Sequence, residues 1–177
     1  ARMKAFIITG TSSGIGKELT EMLLQDENHR VIGISRTQKI NHPNYQHITL
    51  DLNDVADIEM LEFPEWKNAA QITLIHNAGW VGPIQKIGNQ KMGAIAASYL
   101  INLVAPAILT NHFIATFKPS TAQKVILSIG SGASNSAIEG WNTYCSSKAG
   151  LAMLSKCVGE EHKDVVSLCI APGKVDT

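Results

Sequence analysis

The chain has 177 residues, and its 15 lysines and arginines balance 15 aspartates and glutamates. A chain of this length forms a single domain with a full core, expected here to span residues 1–177, and is too short for a second domain. Because the formal net charge is zero, we expect no electrostatic attraction to nucleic acid or to an anionic membrane surface.

Cysteine and histidine usage narrows the possible classes of protein further. The three cysteines, Cys145, Cys157 and Cys169, show no CxxC spacing, and their odd number argues against a disulfide framework. We therefore expect reduced thiols and a cytoplasmic protein. The six histidines show no metal-ligand spacing, so we predict no metal site. Polar residues interrupt the apolar segment 92–117, which favours a buried helix over a membrane span.

Apolar periodicity predicts alternating strands and helices along the chain. Runs of apolar and β-branched residues predict strands at 6–9, 31–35, 45–50, 72–76, 125–129 and 165–170. Apolar residues at helical spacing predict helices at 15–24, 54–61, 91–117 and 143–162, with a kink at Pro106. Continuous apolar strands that alternate with helices predict an α/β fold, a doubly wound parallel sheet with helices on both faces.

A glycine cluster joins the first predicted strand to the first predicted helix. Gly10, Gly14 and Gly16 lie in the segment GTSSGIG. Glycines at this point allow a tight turn and a close approach to a pyrophosphate, and the helix N-terminus offers unpaired N–H groups. Tight turns between a strand and a helix also use glycine, but the placement favours a dinucleotide-binding loop.

The TGxxxGxG segment at residues 9–16 resembles the nucleotide-binding loop of the short-chain dehydrogenase/reductase family. The resemblance covers nearly the whole chain and implies a Rossmann-type fold. Further features that match in the family's order are Asp51-Leu52, Asn77-Ala78-Gly79, Asn102, Ser131, Tyr144, Lys148, Pro172-Gly173 and Thr177. His76 stands where the family often has asparagine, a mild departure. By this resemblance the cofactor-binding residues are Gly10, Ser12, Ser13, Gly14, Ile15, Gly16, Arg36, Asp51, Leu52, Asn77, Ala78, Gly79, Tyr144, Lys148, Pro172, Gly173 and Thr177.

The end of the second predicted strand bears on the choice of cofactor. A chain that selects NAD is expected to place an acidic residue there, about 20 residues after the glycine motif, to bind the ribose 2′-hydroxyl. This chain has Arg36, and a guanidinium suits the 2′-phosphate of NADP. Lys39 adds weaker support, while Ser13 occupies a loop position where NADP-preferring relatives often have a basic residue. A solvated arginine at a strand end is the alternative.

Tyr144 and Lys148 stand four residues apart in a predicted helix, so they share one helix face. A cation held near a phenol favours the phenolate, and such a pair can exchange a proton with a substrate oxygen. By the resemblance, Tyr144 donates a proton to a carbonyl as NADPH delivers hydride, and Lys148 also binds the nicotinamide ribose. Ser131 then hydrogen-bonds the same carbonyl oxygen. By the resemblance, Asn102 kinks the long helix and holds a water that relays protons to Lys148; the alternative is a structural asparagine bonded to backbone.

The segments around Trp80 and Trp141 resemble the sepiapterin reductase and bacterial benzil reductase branch, whose members reduce vicinal diketones with NADPH. Both tryptophans either wall an apolar cleft or belong to the core.

Because relatives run on further, we expect a substrate lid and a last strand beyond residue 177. Without them the sixth strand is expected to be an exposed sheet edge.

The resulting prediction is an NADPH-dependent reductase that acts on a small-molecule ketone or vicinal diketone. A non-catalytic NADP-binding module, acting as a redox-responsive partner, is the alternative, and the full set of predicted catalytic residues argues against it. The family commonly forms homodimers or homotetramers through the helices that carry Asn102 and Tyr144. Apolar residues there, such as Leu103 and Met153, suit an interface and a monomer core equally.

Overall fold

The computed structural model describes residues 2–173 of the chain. Its strands are β1 (Lys4–Thr9), β2 (His29–Ser35), β3 (Tyr45–Thr49), β4 (Gln71–His76), β5 (Gln123–Ile129) and β6 (Val165–Ile170). Its α-helices are α1 (Gly14–Leu23), α2 (Val55–Glu59), α3 (Met92–Tyr99), α4 (Ala105–Phe117) and α5 (Asn142–Glu161). The predicted alternation of strands and helices is confirmed, with element ends that differ by a few residues.

The strands form one parallel sheet in the order β3-β2-β1-β4-β5-β6. The chain moves outward from β1 to β3 and then returns to place β4 on the other side of β1. In such a sheet the connections that follow β1 and β4 diverge to opposite faces, which opens a crevice at the carboxyl ends of these strands. The predicted doubly wound, Rossmann-type fold is confirmed.

Two apolar clusters lie on the two faces of the sheet. Successive side chains of β1 alternate between them, because strand side chains point to opposite faces. Ile7 belongs to the larger cluster with Leu109 and Phe113 of α4. Ile8 belongs to the smaller cluster with Leu24, which follows α1. Helices therefore cover both faces, as predicted.

The long apolar helix is irregular around Asn102, where the family resemblance placed a kink. A π-helical turn at Leu100–Val104 separates α3 from α4, and Pro106 lies in the first turn of α4. Pro106 has no N–H to donate to the carbonyl oxygen of Asn102, four residues earlier, so the irregularity lies one turn before the proline. The π-helical turn carries Asn102, whose side chain is fully buried.

Length and composition alone would allow the helical segment Met92–Phe117 to cross a membrane. Its packing is that of a core helix, since Leu109 and Phe113 are fully buried against the sheet. The buried helix predicted for this segment is therefore present.

Strand β6 lies at one edge of the sheet formed by residues 2–173, as predicted for the sixth strand. One face of β6 packs against α5, where Ser167 bonds to Ser155. On its other face Val166, Leu168 and Ile170 are between 40% and 52% exposed. This apolar face is uncovered in the part of the chain that the structure describes.

Candidate active site

A single cleft of about 1260 Å³ runs along the carboxyl ends of the strands. It gathers most of the residues that the sequence singled out, because the segments that follow all six strands of residues 2–173 open onto this edge of the sheet. The predicted residues that line it are Gly10, Ser12, Ser13, Ile15, Arg36, Asp51, Leu52, Asn77, Ala78, Gly79, Ser131, Tyr144, Lys148, Pro172 and Gly173. Gly14, Gly16 and Asn102 lie outside the lining, and Thr177 lies outside the described residues.

The glycine loop is held against the segment that follows β4. Gly10 has a φ of +75°, and a side chain there would lie 2.9 Å from Asn77 Nδ2 and 3.0 Å from Ala78 Cα. Glycine satisfies both the left-handed backbone and the close approach. A side chain at Gly16 would overlap the carbonyl oxygen of Gly10, so Gly16 serves the packing of α1 against the loop instead of lining the cleft.

Thr9 and Asn77 brace the loops that follow β1 and β4. The Thr9 hydroxyl accepts from the backbone N–H groups of Asn77 (3.1 Å) and Ala78 (3.0 Å). The Asn77 side-chain amide donates to the carbonyl oxygens of Thr9 (3.1 Å) and Gly10 (3.2 Å). These four bonds tie the glycine loop to the segment that follows β4.

Arg36 follows β2 directly and lies exposed at the cleft, where its guanidinium is accessible to a ligand. Leu52 is buried beneath the same part of the cleft, and the Asp51 carboxylate accepts from the backbone N–H of Asn53 at 2.9 Å. Lys39 is exposed and lies outside the lining, so the structure gives it no part in the cleft.

Tyr144 and Lys148 lie on one face of α5 and both line the cleft. The Lys148 Nζ lies 5.8 Å from the centroid of the Tyr144 ring. Lys148 is only 3% exposed, and its ammonium donates to the carbonyl oxygen of Ile129 at 3.0 Å. Burial lowers the pKa of Lys148 below its ordinary value, and the charge of a Cys169 thiolate would oppose that shift. The predicted pair is thus brought together with its cation anchored at the end of β5.

Ser131 lies just beyond β5, in extended backbone that begins a short 3₁₀-helix. Its hydroxyl oxygen accepts from the backbone N–H of Ala133 at 3.1 Å. Because the hydroxyl is the acceptor in this bond, it keeps its own hydrogen for donation into the cleft that it lines.

Asn102 bonds to backbone and to one serine. Its Oδ1 accepts from the backbone N–H of Trp80 at 2.8 Å, and its Nδ2 donates to the Trp80 carbonyl oxygen at 2.8 Å. The same Nδ2 donates to Ser147 Oγ at 3.2 Å. These contacts favour the structural interpretation of Asn102, since its amide holds the segment after β4 against the π-helical turn. Ser147, which is fully buried, had no place in the sequence analysis.

Comparison with known proteins decides the family. The sequence profile of the short chain dehydrogenase family matches residues 4–177. The chain belongs to the short chain dehydrogenase family. Benzil reductase ((S)-benzoin forming) from Bacillus subtilis (strain 168) is 34% identical over 185 residues, which cover 99% of this chain and 76% of that protein. Sepiapterin reductase from Xenopus tropicalis is 31% identical over 112 residues, 62% of this chain and 43% of that protein.

Comparison with solved structures agrees with this family assignment. A crystal structure of a short-chain dehydrogenase/reductase from Burkholderia vietnamiensis has a TM-score of 0.82 and 27% sequence identity, and it matches 96% of this chain and 84% of that chain. The predicted branch of the short chain dehydrogenase family is therefore confirmed. The chain is an oxidoreductase that acts on CH–OH and C=O groups, in a family that binds a nicotinamide cofactor.

One contact beneath the family's glycine loop escaped the sequence analysis. The Tyr45 hydroxyl bonds to Thr11 Oγ1 at 3.0 Å and to His47 Nδ1 at 2.9 Å. Thr11 is buried, and its side chain faces away from the cleft lining. The tyrosine passes over Gly33, where a side chain would overlap its hydroxyl. A glycine inside a buried strand signals such a close approach, so Gly33 was the available clue.

His76 departs from the asparagine that the short chain dehydrogenase family often has at this position. It is 2% exposed, and its Nε2 bonds to Thr110 Oγ1 of α4 at 2.7 Å. Burial, with a smaller contribution from the charge of Lys148, lowers the pKa of His76 to about 3. The imidazole is therefore neutral near pH 7, and it ties β4 to α4 behind the site.

Proposed function

We propose that this protein is an NADPH-dependent reductase of ketones or vicinal diketones, with Tyr144 as the proton donor. The observation that carries the proposal is the placement of Ser131, Tyr144 and Lys148 in the same cleft as the glycine loop and Arg36. A dinucleotide that lies along the carboxyl ends of the strands would have its phosphates at one end of this cleft and its reactive ring at the other.

The residues at one end of the cleft fit a dinucleotide phosphate. The glycine loop leads into the N-terminus of α1, where unpaired N–H groups and the helix dipole favour an anion. Gly10 leaves room for close approach of the ligand, since no side chain covers the turn. Arg36 would bind the 2′-phosphate of NADP with charge-assisted hydrogen bonds. Lys148 would bind the nicotinamide ribose.

When bound, NADPH supplies the hydride that reduces the carbonyl carbon. Tyr144 gives its hydroxyl proton to the carbonyl oxygen, so the product is an alcohol and the tyrosine becomes a phenolate. The Lys148 ammonium, 5.8 Å from the centroid of the Tyr144 ring, favours that phenolate because opposite charges attract. Ser131 donates a hydrogen bond to the same oxygen and stabilises the negative charge that develops on it. Solvent returns the proton to Tyr144 after the product leaves.

The substrate end of the cleft is apolar. Trp80, Val81, Ile138 and Trp141 all line it, and Trp141 packs edge-to-face on the Tyr144 ring at 5.5 Å between centroids. This arrangement supports the cleft-wall interpretation of both tryptophans. A flat, aryl-substituted carbonyl compound suits such walls. The similarity to benzil reductase points to benzil as the first substrate to try, and the similarity to sepiapterin reductase points to a ketone on a pterin side chain as the second.

The experiment is to follow NADPH oxidation with benzil, a pterin ketone and a small aliphatic diketone, and to identify the product by mass spectrometry. We expect benzil to be consumed with formation of one hydroxyketone per NADPH oxidised. If NADPH binds but no carbonyl compound in the panel is reduced, the proposed function is wrong. That result would favour the alternative, a non-catalytic NADP-binding module.

We further propose a homodimer or homotetramer through the helical segment Met92–Phe117, which carries Asn102, and α5, which carries Tyr144. Met153 is 57% exposed on α5, and Met92 is 85% exposed at the start of α3. Leu103 contributes less than expected, because it already packs against Gly150 within the same chain. Light scattering of the purified protein tests this: a monomer mass would contradict it.

The cytoplasmic location also stays a proposal, supported by three free cysteines.

A further inference from the structure

Two loops that flank the substrate end of the cleft are fastened together by one side chain. Asn142, the first residue of α5, donates from Nδ2 to the carbonyl oxygen of Gln85 at 2.9 Å. Its Oδ1 accepts from Gln90 Nε2 at 2.7 Å, and that same Nε2 donates to the Gln85 carbonyl oxygen at 2.8 Å. We call this closed set of three residues the Asn142 clasp. It joins positions more than 50 residues apart in sequence.

Backbone and side-chain contacts next to the clasp hold the same two loops. The N–H of Gln85 donates to the carbonyl oxygen of Gly140 at 3.1 Å. Gly140 has a φ of +81°, and a side chain there would come within 2.9 Å of the Ile84 side chain. Lys86 and Glu139 form an exposed ion pair, which contributes little by itself. The glycine is therefore needed for the loops to meet at this distance.

The clasp lies directly beside the proposed reaction centre. Asn142 is two residues before Tyr144, and Trp141 rests edge-on against the Tyr144 ring. On one side of the clasp, Trp141 and Ile138 line the cleft; the loop on its other side continues from Val81, which lines the cleft as well. The clasp residues themselves lie outside the cleft lining. The distance between two apolar walls thus depends on a contact that no substrate touches.

We propose that Asn142 is a specificity-determining positioning residue: it fixes the width of the apolar slot and so favours flat aryl carbonyl substrates over small aliphatic ones. This inference rests on the proposed function for the nature of the substrate. A wall that is already ordered costs a bound aryl group no ordering entropy, whereas an unfastened loop must be ordered by the substrate itself. A small diketone contacts the walls less and gains less from their being fixed.

The test compares Asn142→Ala with a control, Asn89→Ala. The control removes the same type of side chain from an exposed position in the loop that Asn142 holds. Loss of the two Asn142 hydrogen bonds should raise the KM and the Kd for benzil about tenfold. The kcat for benzil, the KM for a small aliphatic diketone and the Kd for NADPH should stay near wild type, because only uniform binding of the aryl group is lost. Asn89→Ala should behave as wild type.

Gln90→Ala should reproduce the effect of Asn142→Ala, and the double variant should be no worse than either single one, because all three break one closed set of bonds. Hydrogen exchange should become faster in residues 84–90 of Asn142→Ala and stay slow in β4. An equal loss of kcat for benzil and for the small diketone would instead assign Asn142 a general structural role at the start of α5, and it would overturn the proposal.

The benzil Kd, measured by calorimetry on the protein with bound NADP⁺, tests the role of Asn142 independently of the proposed reductase activity. If the wild type binds benzil but reduces nothing, the proposed function fails, and the clasp is still judged by the change in Kd and in hydrogen exchange. An unchanged benzil Kd in Asn142→Ala overturns the clasp whatever the activity of the wild type.

Discussion

Gly33 in β2 offers a sharp test of how the glycine loop is supported. In Gly33→Ala the new methyl group would lie 2.6 Å from Thr11 Oγ1 and 2.7 Å from a ring carbon of Tyr45, and closer still to the Tyr45 hydroxyl. Ordinary contact begins at about 3.4 Å. Strand β2 is paired on both sides, with β1 and with the edge strand β3, so we expect the tyrosine ring to move rather than the backbone.

A displaced Tyr45 loses its bonds to Thr11 and to His47. Two such hydrogen bonds contribute roughly 1–3 kcal/mol together, and overpacking a strand costs about 1–3 kcal/mol more. We therefore expect Gly33→Ala to lower the free energy of unfolding by about 2–6 kcal/mol, or the Tm by roughly 4–24 °C. NADPH affinity should also fall, because Thr11 belongs to the glycine loop.

Thermal and urea unfolding followed by circular dichroism measure the effect. Gly93→Ala is the matched control, since a side chain at this helical position meets no atom within 4 Å, and its Tm should be unchanged or slightly raised. Tyr45→Phe keeps the ring and removes only the two hydroxyl bonds, so it should lose less stability than Gly33→Ala. A Gly33→Ala protein as stable as Gly93→Ala would refute the packing argument.

Two further substitutions test the cofactor site and the buried histidine. Arg36→Ala should weaken NADPH binding by about 10- to 100-fold, the value of one or two charge-assisted hydrogen bonds, and leave NADH binding nearly unchanged in titrations of both nucleotides; equal losses would contradict the role of Arg36. For His76 the folded pKa of about 3 lies below the ordinary histidine value of 6.5, so the unfolded chain binds more protons in acid and stability falls as pH drops below 6.5. Between pH 7 and pH 5, the free energy of unfolding of the wild type should therefore fall by about 2 kcal/mol more than that of His76→Asn, as measured by urea titrations. Identical falls in the two proteins would argue against a neutral His76.

Patterns within single segments predicted most of the fold. The apolar run from Ile72 to His76 and the helical spacing after Gly14 are local signals, and the parallel sheet follows from their alternation. Apolar periodicity carries no comparable signal for the π-helical turn, because one extra residue in a continuous apolar helix changes no residue type. The irregularity around Asn102 could be predicted only from the family resemblance.

The candidate site likewise contains features that the sequence predicts and contacts that it does not. The placement of Tyr144 and Lys148 on one helix face at the cleft was predictable from the sequence, because it depends on a fixed interval. Contacts between distant segments were not: Tyr45 meets Thr11 across 34 residues, and Asn142 meets Gln85 across 57. Nothing in either segment alone marks its partner, because hydrogen bonds of this kind depend on the folded position of backbone atoms.

The measurement that tests the central proposal most directly is benzil turnover by Tyr144→Phe in the presence of NADPH. The account predicts a fall in kcat/KM of about 10²- to 10⁴-fold, the contribution of a general acid, with NADPH still bound. Tyr99→Phe makes the same chemical change outside the cleft, where the hydroxyl bonds to Ser146 at 2.6 Å, and should turn over like wild type. Wild-type turnover by Tyr144→Phe would contradict the assignment of Tyr144 as the proton donor.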